Sequence, residues 1–577
     1  MSTTRGFFGA AIYADEEEEE EEESRRFAMG FDLTLQWSPW LFATFILAAI
    51  PLFLRAVLLS SKKPDPKPAY ITTKTALSTE LSTALPESVF FGAHPSFHES
   101  ISSYFGLAQQ SVIPECIVKP LTAQEVSTAI KIIKRHYDES IRDGSPHPTF
   151  AIRSGGHNYV VTAATARDGI VFDLRLLNSV ELSEDRKSVT IGPGATWSAV
   201  SSVLDPLGLA VAAGRNAAVG VGGLALGGGI SYFSPRVGFA CDNITSYDIV
   251  LADGTLTTTT TTTSSPTADL SRALKGGSNN FGIVTSLTTT TFPAGPLWGG
   301  FLYSLGTRTT RLSSIRAMHA FIAATASTNP TSTTTYDPAA SPMVCIIDIN
   351  ILGLTYIPLV ILNLVHTDGK AWPACYDGFK ALPRVFSSAK VQSITSAARE
   401  HEGLCTPGSM QFQATTTVAN DLDTLMYVHA TWEKYRARLG RVRGLLWEFV
   451  LQPMAVSMMQ NRGGDRDGSG GGNCLGLEDQ QEPLVIVLIL AVWRDAADEA
   501  VVEECGRRTT EEIDAYAKAR GTAHRYKYLN YCHGWQDPFA GYGERNRAFL
   551  VETSKKYDPD GFYQRARVGG YKLTDCA

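Results

Sequence analysis

Four glycine-rich blocks crowd into some 130 residues of this chain: SGGH (154–157), GPG (192–194), GVGGLALGGG (220–229) and GGSNNFGIV (276–284). Each adjoins a segment that reads as a strand. Glycine reaches positive φ without steric penalty and leaves backbone N–H groups open to an anion, which is how extended phosphate groups are cradled. A single block of this kind is explained as well by an ordinary tight turn. Four together constrain the fold to a set of backbone loops gathered about a large, phosphate-containing ligand. No acidic ribose-binding residue follows them at the required spacing and no GK[ST] sequence is present. That excludes a nicotinamide-type dinucleotide fold and a nucleoside triphosphatase.

The 577 residues are 44% hydrophobic, enough for a large core and more than one domain. Setting aside the eight glutamates Glu16 to Glu23 leaves 51 basic against 50 acidic side chains. Such a near-neutral body lacks the basic footprint of a nucleic-acid binder. Nine cysteines are scattered without a CxxC pair, which argues against a metal site. Their odd number excludes complete internal pairing, while one or two disulfides are compatible with export. From Trp40 to Leu59 runs a nearly continuous apolar stretch, broken by Pro51 and Arg55 and long enough to cross a bilayer. Arg25 and Arg26 precede it and Lys62, Lys63 and Lys67 follow it. Residues 40–59 are therefore expected to target or anchor the chain to a membrane and send it into the secretory pathway, as a secreted or membrane-anchored protein. A buried core helix is the alternative. Basic residues on both flanks leave orientation and cleavage open.

Residues 1–78 thus read as an acidic tail, a targeting segment and a linker. In 79–295, CIVKP (116–120), TFAIRS (149–154), GIVFDLR (169–175) and SVTIGPGA (188–195) read as short strands. The stretch from Thr122 to Tyr137 has a capping Thr, Glu three residues on and apolar residues at helical spacing, and TWSAVSSVLDPLG (196–208) reads as a helix stopped at Pro206 and Gly208. This is an α+β domain of mixed topology, with the threonine run Thr257–Thr263 expected as a surface loop. From 296 to 520, strands such as SPMVCIIDINIL (341–352) and PLVIVLILAVW (483–493) alternate with helices in a second domain, with Arg462–Gly472 as an insertion. Residues 521–577 are expected to return to the first domain.

The ordered motifs RSGGH, VTIGPGATW, VGVGGLALGGG, FACDNI, VLADG, LKGGSNNFGIVT, YLNY, QDPFAGYG and KKYDPDGFY span Ser100 to Lys572. Together they closely resemble those of fungal berberine bridge enzyme-like flavoproteins, members of the vanillyl alcohol oxidase-type (PCMH-type) FAD-binding superfamily. The resemblance implies an FAD-binding domain, an antiparallel-sheet substrate domain with helices, and a C-terminal segment that completes the flavin site. It implies an FAD-linked oxidoreductase, an oxidase that passes hydride from an alcohol, sugar or secondary-metabolite substrate to the flavin and then to O2. The alternatives are a dehydrogenase with another acceptor and a non-catalytic, membrane-tethered flavin-binding protein.

For single residues, the resemblance implies that His157 bonds covalently to the 8α-methyl carbon of the flavin, the glycines beside it allowing close approach. Asn216 stands where many relatives carry a second, cysteinyl link. The nearest cysteine in sequence, Cys241, belongs to another motif, so no second link is expected. Val219 falls at the family's oxygen gate, where valine accompanies oxidase behaviour. The cofactor cradle would comprise Arg153, Ser154, Gly155, Gly156, Asn158, Gly220, Gly222, Gly223, Gly228, Gly229, Asn243, Gly282, Ile283 and Val284, with Asn530 against the flavin. Tyr531 is implied as the catalytic base with Tyr528 beside it. Free tyrosine, with a pKa near 10, needs a neighbouring cation or strong hydrogen bonds to serve at neutral pH. Lys527 and Arg525 are close in sequence, but on a strand alternate residues face opposite ways, and neither is assigned.

Overall fold

The computed structural model describes residues 73–574, save 263, 326–335, 351–355 and 461–471. The apolar run 40–59 and nearly all of the expected insertion lie outside the described residues. No helix among those described is long and apolar enough to cross a membrane. All eight described cysteines are free thiols.

The chain opens with a four-stranded sheet of β1 (Val89–Phe90), β2 (Cys116–Val118), β3 (Phe150–Arg153) and β4 (Ile170–Asp173), in the order β1-β2-β4-β3. β2, β4 and β3 are parallel, so the chain must cross back over the sheet between them. The helix Ala123–Asp143 makes that crossing. The Thr122 side chain accepts from the Glu125 N–H, Ile130, Ile133 and Tyr137 are buried along one stripe, and Gly144 ends the helix in the left-handed conformation.

An antiparallel sheet follows, made of β5 (Val180–Leu182), β6 (Ser188–Ile191), β8 (Ile244–Val250), β9 (Leu256–Thr260) and β10 (Ile283–Thr290), ordered β5-β6-β10-β8-β9. β7 (Leu209–Ala210) and β11 (Phe292–Pro293) form a short ribbon beside it. Most of the threonine run is therefore not a loop but the edge strand β9, paired with β8. Threonine is β-branched and suits an extended backbone, a preference that outweighed its low complexity.

At Leu297 the chain enters a nine-stranded sheet: β12 (Leu297–Leu305), β13 (Ala340–Asn350), β14 (Tyr356–His366), β15 (Phe386–Ser387), β16 (Lys390–Gln392), β17 (Met410–Ala419), β18 (Leu445–Met454), β19 (Leu484–Trp493) and β20 (Ala523–His524). Its pairings are antiparallel, and alternation gives it two unlike faces. On one face Val344, Phe449 and Val487 pack with residues of the helices Arg308–Thr325, Leu422–Arg438 and Glu499–Arg520. The other face carries Met343, Val450 and Leu488, packed with Cys345, Leu490 and Tyr531. The last residues then run back to the first sheet. Phe562, Tyr563 and Ala566 join its core, and the Phe150 N–H donates to Ala566 O at 2.8 Å.

Candidate active site

The glycine blocks are packed backbone against backbone. A Cβ on Gly155 would fall 2.6 Å from Gly220 N, and one on Gly220 still closer to Gly155 N. The Ser154 hydroxyl donates to Pro193 O at 2.7 Å, and a Cβ on Gly222 would meet Pro193 at 3.0 Å. Gly276 and Ser278 both donate their N–H to Leu226 O at 3.1 Å, tying the fourth block to the third. Gly228 and Gly229, with φ of 104° and 83°, turn the chain after the helix Val221–Leu226, and their carbonyls accept from Cys241 and Ala240 N–H at 2.8 Å. Gly223 is exposed, with no atom within 4 Å of an added Cβ.

Within the first block, the N–H groups of Gly155, Gly156, His157 and Asn158 find no acceptor among the described residues. Four successive free donors, on a loop that can carry no side chain at Gly155, fit a cofactor with phosphate and carbonyl oxygens. The His157 ring stacks on Phe105 at 4.4 Å. Burial, with the Arg153 charge nearby, pushes its imidazole down to about 4, so the ring is neutral at neutral pH. Arg153 itself packs under the loop, its Nε 2.8 Å from where a Cβ on Gly156 would fall. It donates to Ser100 O and to the Ser103 hydroxyl and lies over the Tyr104 ring at 3.8 Å. Asn158 caps its own turn, accepting from Val160 N–H at 2.8 Å.

The rest of the expected cradle is structural in its contacts. Asn243 is buried and donates to Val237 O and Phe239 O at 2.8 and 2.9 Å. Gly282 approaches Val250 O so closely that a Cβ would sit 2.5 Å away. Ile283 and Val284 are buried in β10, paired with Val250 and Ile249.

YLNY is not a strand: Leu529–Tyr531 forms a 3-10 turn in which Tyr531 N–H donates to Tyr528 O at 2.8 Å. The alternation argument therefore does not apply to Lys527 and Arg525. Lys527 pairs with Asp514 at 2.8 Å, and Arg525 donates to Gly476 O at 3.3 Å. The cation at Tyr531 is Arg215. Its Nη2 donates to the Tyr531 hydroxyl at 2.9 Å and to Gln452 Oε1 at 2.8 Å, while Gln452 Nε2 donates to the same phenol at 3.0 Å. The phenol oxygen thus accepts two hydrogen bonds, and its own hydrogen has no acceptor among the described residues. Tyr528 stands edge-on to it at 4.7 Å, buried, its hydroxyl accepting from Ile230 N–H at 3.2 Å and Asn530 Nδ2 at 3.1 Å. Asn530 also donates to Leu224 O at 3.1 Å and packs on Gly227.

Other groups gather here from distant parts of the chain. Asn216 Nδ2 donates to Cys405 Sγ at 3.2 Å, so the cysteine beside Asn216 in space is Cys405 and not Cys241. Burial pushes that thiol up to about 11 and leaves it protonated. Tyr159, two residues after His157, is half-buried, and burial pushes its phenol well above the ordinary value. Val219 is half-buried against the glycine-loop core.

Residues 114–260 match a family model described as an FAD binding domain. FAD-dependent monooxygenase sdcF of Emericella nidulans is 33% identical over 502 residues, covering 85% of this chain and 97% of that protein. FAD-dependent monooxygenase drtC of Aspergillus calidoustus is 30% identical over 500 residues, 85% of this chain and 89% of its own. The chain belongs to this family of fungal FAD-dependent oxidoreductases. It also matches oligopeptidase PhomG' of Diaporthe leptostromiformis at 31% identity, but spans 37% of that longer protein. In fold it is similar to 6-hydroxy-D-nicotine oxidase from Arthrobacter nicotinovorans (TM-score 0.64, 20% identity, 84% of this chain and 98% of that one). Xylooligosaccharide oxidase from Myceliophthora thermophila is alike to a similar degree (TM-score 0.62, 20% identity, 86% and 100%). The fold is that of PCMH-type, berberine bridge enzyme-like flavoproteins, and this FAD-dependent oxidoreductase is an enzyme.

Sequence reasoning missed Arg215, Gln452, Glu448 and Cys405. Arg215 directly precedes Asn216 and carried a signal, since a tyrosine that serves as base needs a cation. Gln452 and Glu448 alternate with apolar residues in β18 and carried none.

Proposed function

We propose that this oxidoreductase is an oxidase with its flavin joined to His157 alone, acting on an alcohol, sugar or secondary-metabolite substrate with Tyr531 as base. When bound, FAD would accept a hydride from the substrate carbon and pass the electrons on to O2. The observation that carries the base assignment is the pair of donors on the Tyr531 oxygen. A guanidinium and an amide offer hydrogen bonds there, so negative charge on the phenol oxygen is stabilised and that oxygen can take the substrate's hydroxyl proton. Tyr528 and Asn530 position Tyr531 by fixing its turn to Ile230 and Leu224. His157 presents a neutral nitrogen, the protonation state that a nucleophilic attachment requires.

The loops at 154–158, 192–194, 219–223 and 276–280 would hold the cofactor, and Val219 would leave oxygen a path to it. Residues 296–520 would close over the ring with the β18 face. Asn243, Gly282, Ile283 and Val284 would support the cradle from behind. Protonated Cys405 is in keeping with a single link. The apolar run 40–59 supports entry to the secretory pathway.

The test is anaerobic stopped-flow reduction of the holoenzyme's flavin by benzyl alcohol, biphenyl-4-methanol and cellobiose, followed by admission of air. Tyr531→Phe should slow reduction by about 10²-fold or more with flavin still bound. Wild type should yield one hydrogen peroxide per substrate. Label from 18O2 in the product would instead favour a monooxygenase, the activity in the relatives' names. Absence of oxygen uptake would favour a dehydrogenase. An unchanged rate in Tyr531→Phe contradicts the base assignment.

A further inference from the structure

Most polar side chains on the sheet face that carries Tyr531's partner Gln452 are bonded within the protein, while Asn363 Oδ1, Thr417 Oγ1 and the Tyr303 hydroxyl have no partner among the described residues. Gln452 serves Arg215 and Tyr531. Gln413 donates to Asn530 O at 3.0 Å, Gln411 to Thr406 O at 3.1 Å and Asn363 to Gly300 O at 3.2 Å. Between them the face is made of Met343, Val450, Leu488 and Leu490. A saccharide needs a matching array of open donors and acceptors on the wall it lies against, and the open groups here are single ones on β12, β14 and β17, set among apolar side chains.

Glu448 is the one carboxyl on this face among the described residues. It lies on β18 four residues before Gln452 and on the same face, half-buried, beside Ile347 of β13 and Leu490 of β19. Apart from the Cys345 thiol, it has no hydrogen-bonding partner and no cation among the described residues. Burial without a counter-charge pushes its carboxyl up to about 7. A carboxyl held this way gains most from an occupant that brings a donor with it. Four residues of extended strand put its Cα about 13 Å from that of Gln452, so one molecule reaching both ends must be on the order of 10 Å long.

We propose that the site takes a largely apolar alcohol at least two rings long, whose far end carries a hydrogen-bond donor, a hydroxyl or a protonated amine, that Glu448 binds. This rests on Tyr531 marking the reacting end, as proposed above. Glu448 is a specificity-determining residue and takes no part in the chemistry.

The test titrates the holoenzyme under argon with biphenyl-4-methanol and its 4'-hydroxy and 4'-aminomethyl derivatives, reading Kd from the flavin absorbance. A far-end donor should bind about tenfold or more tighter than the unsubstituted probe. Glu448→Leu should level the series. Glu448→Gln should keep the preference for the hydroxyl and lose that for the ammonium. Flavin content and melting temperature show that each variant is folded, and the glutamine variant serves if the leucine variant is not. The proposal is overturned if the preference survives Glu448→Leu, if the three probes bind alike or not at all, or if cellobiose binds more tightly than every biphenyl. Flavin reduction in the same cuvette separates the two claims. Preference without reduction contradicts the Tyr531 assignment alone, and reduction without preference contradicts the Glu448 assignment alone.

Discussion

At Tyr531 the two donors are unequal, because Arg215 brings a full charge and Gln452 a dipole. Arg215→Met should therefore lower the rate of flavin reduction by about 10²-fold, and Gln452→Leu by about tenfold, with flavin content unchanged in both. Rapid-scan absorbance on flavin-saturated protein checks this, and equal small effects would show that the charge is not used. A second residue-scale prediction concerns Glu448, whose carboxyl is raised from 4.5 to about 7. A raised acid favours the folded state in its protonated form. That stability is complete below pH 4.5 and is lost as the pH climbs through 7. Glu448→Gln should melt with wild type near pH 4 and a few degrees above it at pH 8, in paired thermal scans. At this scale the motifs pointed to His157 and Tyr531 as candidates. Arg215 was hidden because 316 residues separate it from Tyr531, and local charge near YLNY pointed to Lys527 and Arg525, which the fold uses elsewhere.

Among the elements, the glycine-rich loops proposed to hold the cofactor tolerate no side chain where backbones meet. Gly155→Ala and Gly220→Ala would each force a carbon into the opposing strand of backbone, whereas Gly295→Ala meets no atom within 4 Å. The first two should purify with little flavin or as aggregate, and the third should match wild type in flavin content and melting temperature. Absorbance ratios of purified protein decide it. Capping made elements legible: Thr122 and Thr196 start helices as their sequence neighbourhoods indicate, each accepting a backbone N–H three residues on. The threonine run and YLNY were misjudged because pairing with β8, in one case, and burial of Tyr528 against Ile230 N–H, in the other, override local composition.

For the whole molecule, the nine-stranded sheet has one face packed by helices and one on the side of Tyr531, where recognition is proposed. Phe449 and Val450 are adjacent in β18 yet point oppositely, Phe449 into the helix-covered core and Val450 toward the site. Phe449→Ala should cost about 3–5 kcal/mol of stability with KM little changed, while Val450→Ala should cost less and shift KM. Denaturant melts beside steady-state kinetics test the division. The sequence shows β13 and β19 as strands but left β18 unread, and both faces of β18 are rich in apolar residues, so neither face was marked out. The choice depends on how the last sixty residues close back onto the first sheet.

Acid precipitation of the purified holoenzyme beside His157→Ala tests whether the four glycine-rich loops hold a flavin bonded to His157. The account predicts a yellow pellet for wild type and flavin released to the supernatant for His157→Ala. Flavin in the wild-type supernatant, or a yellow pellet that persists in His157→Ala, would contradict it.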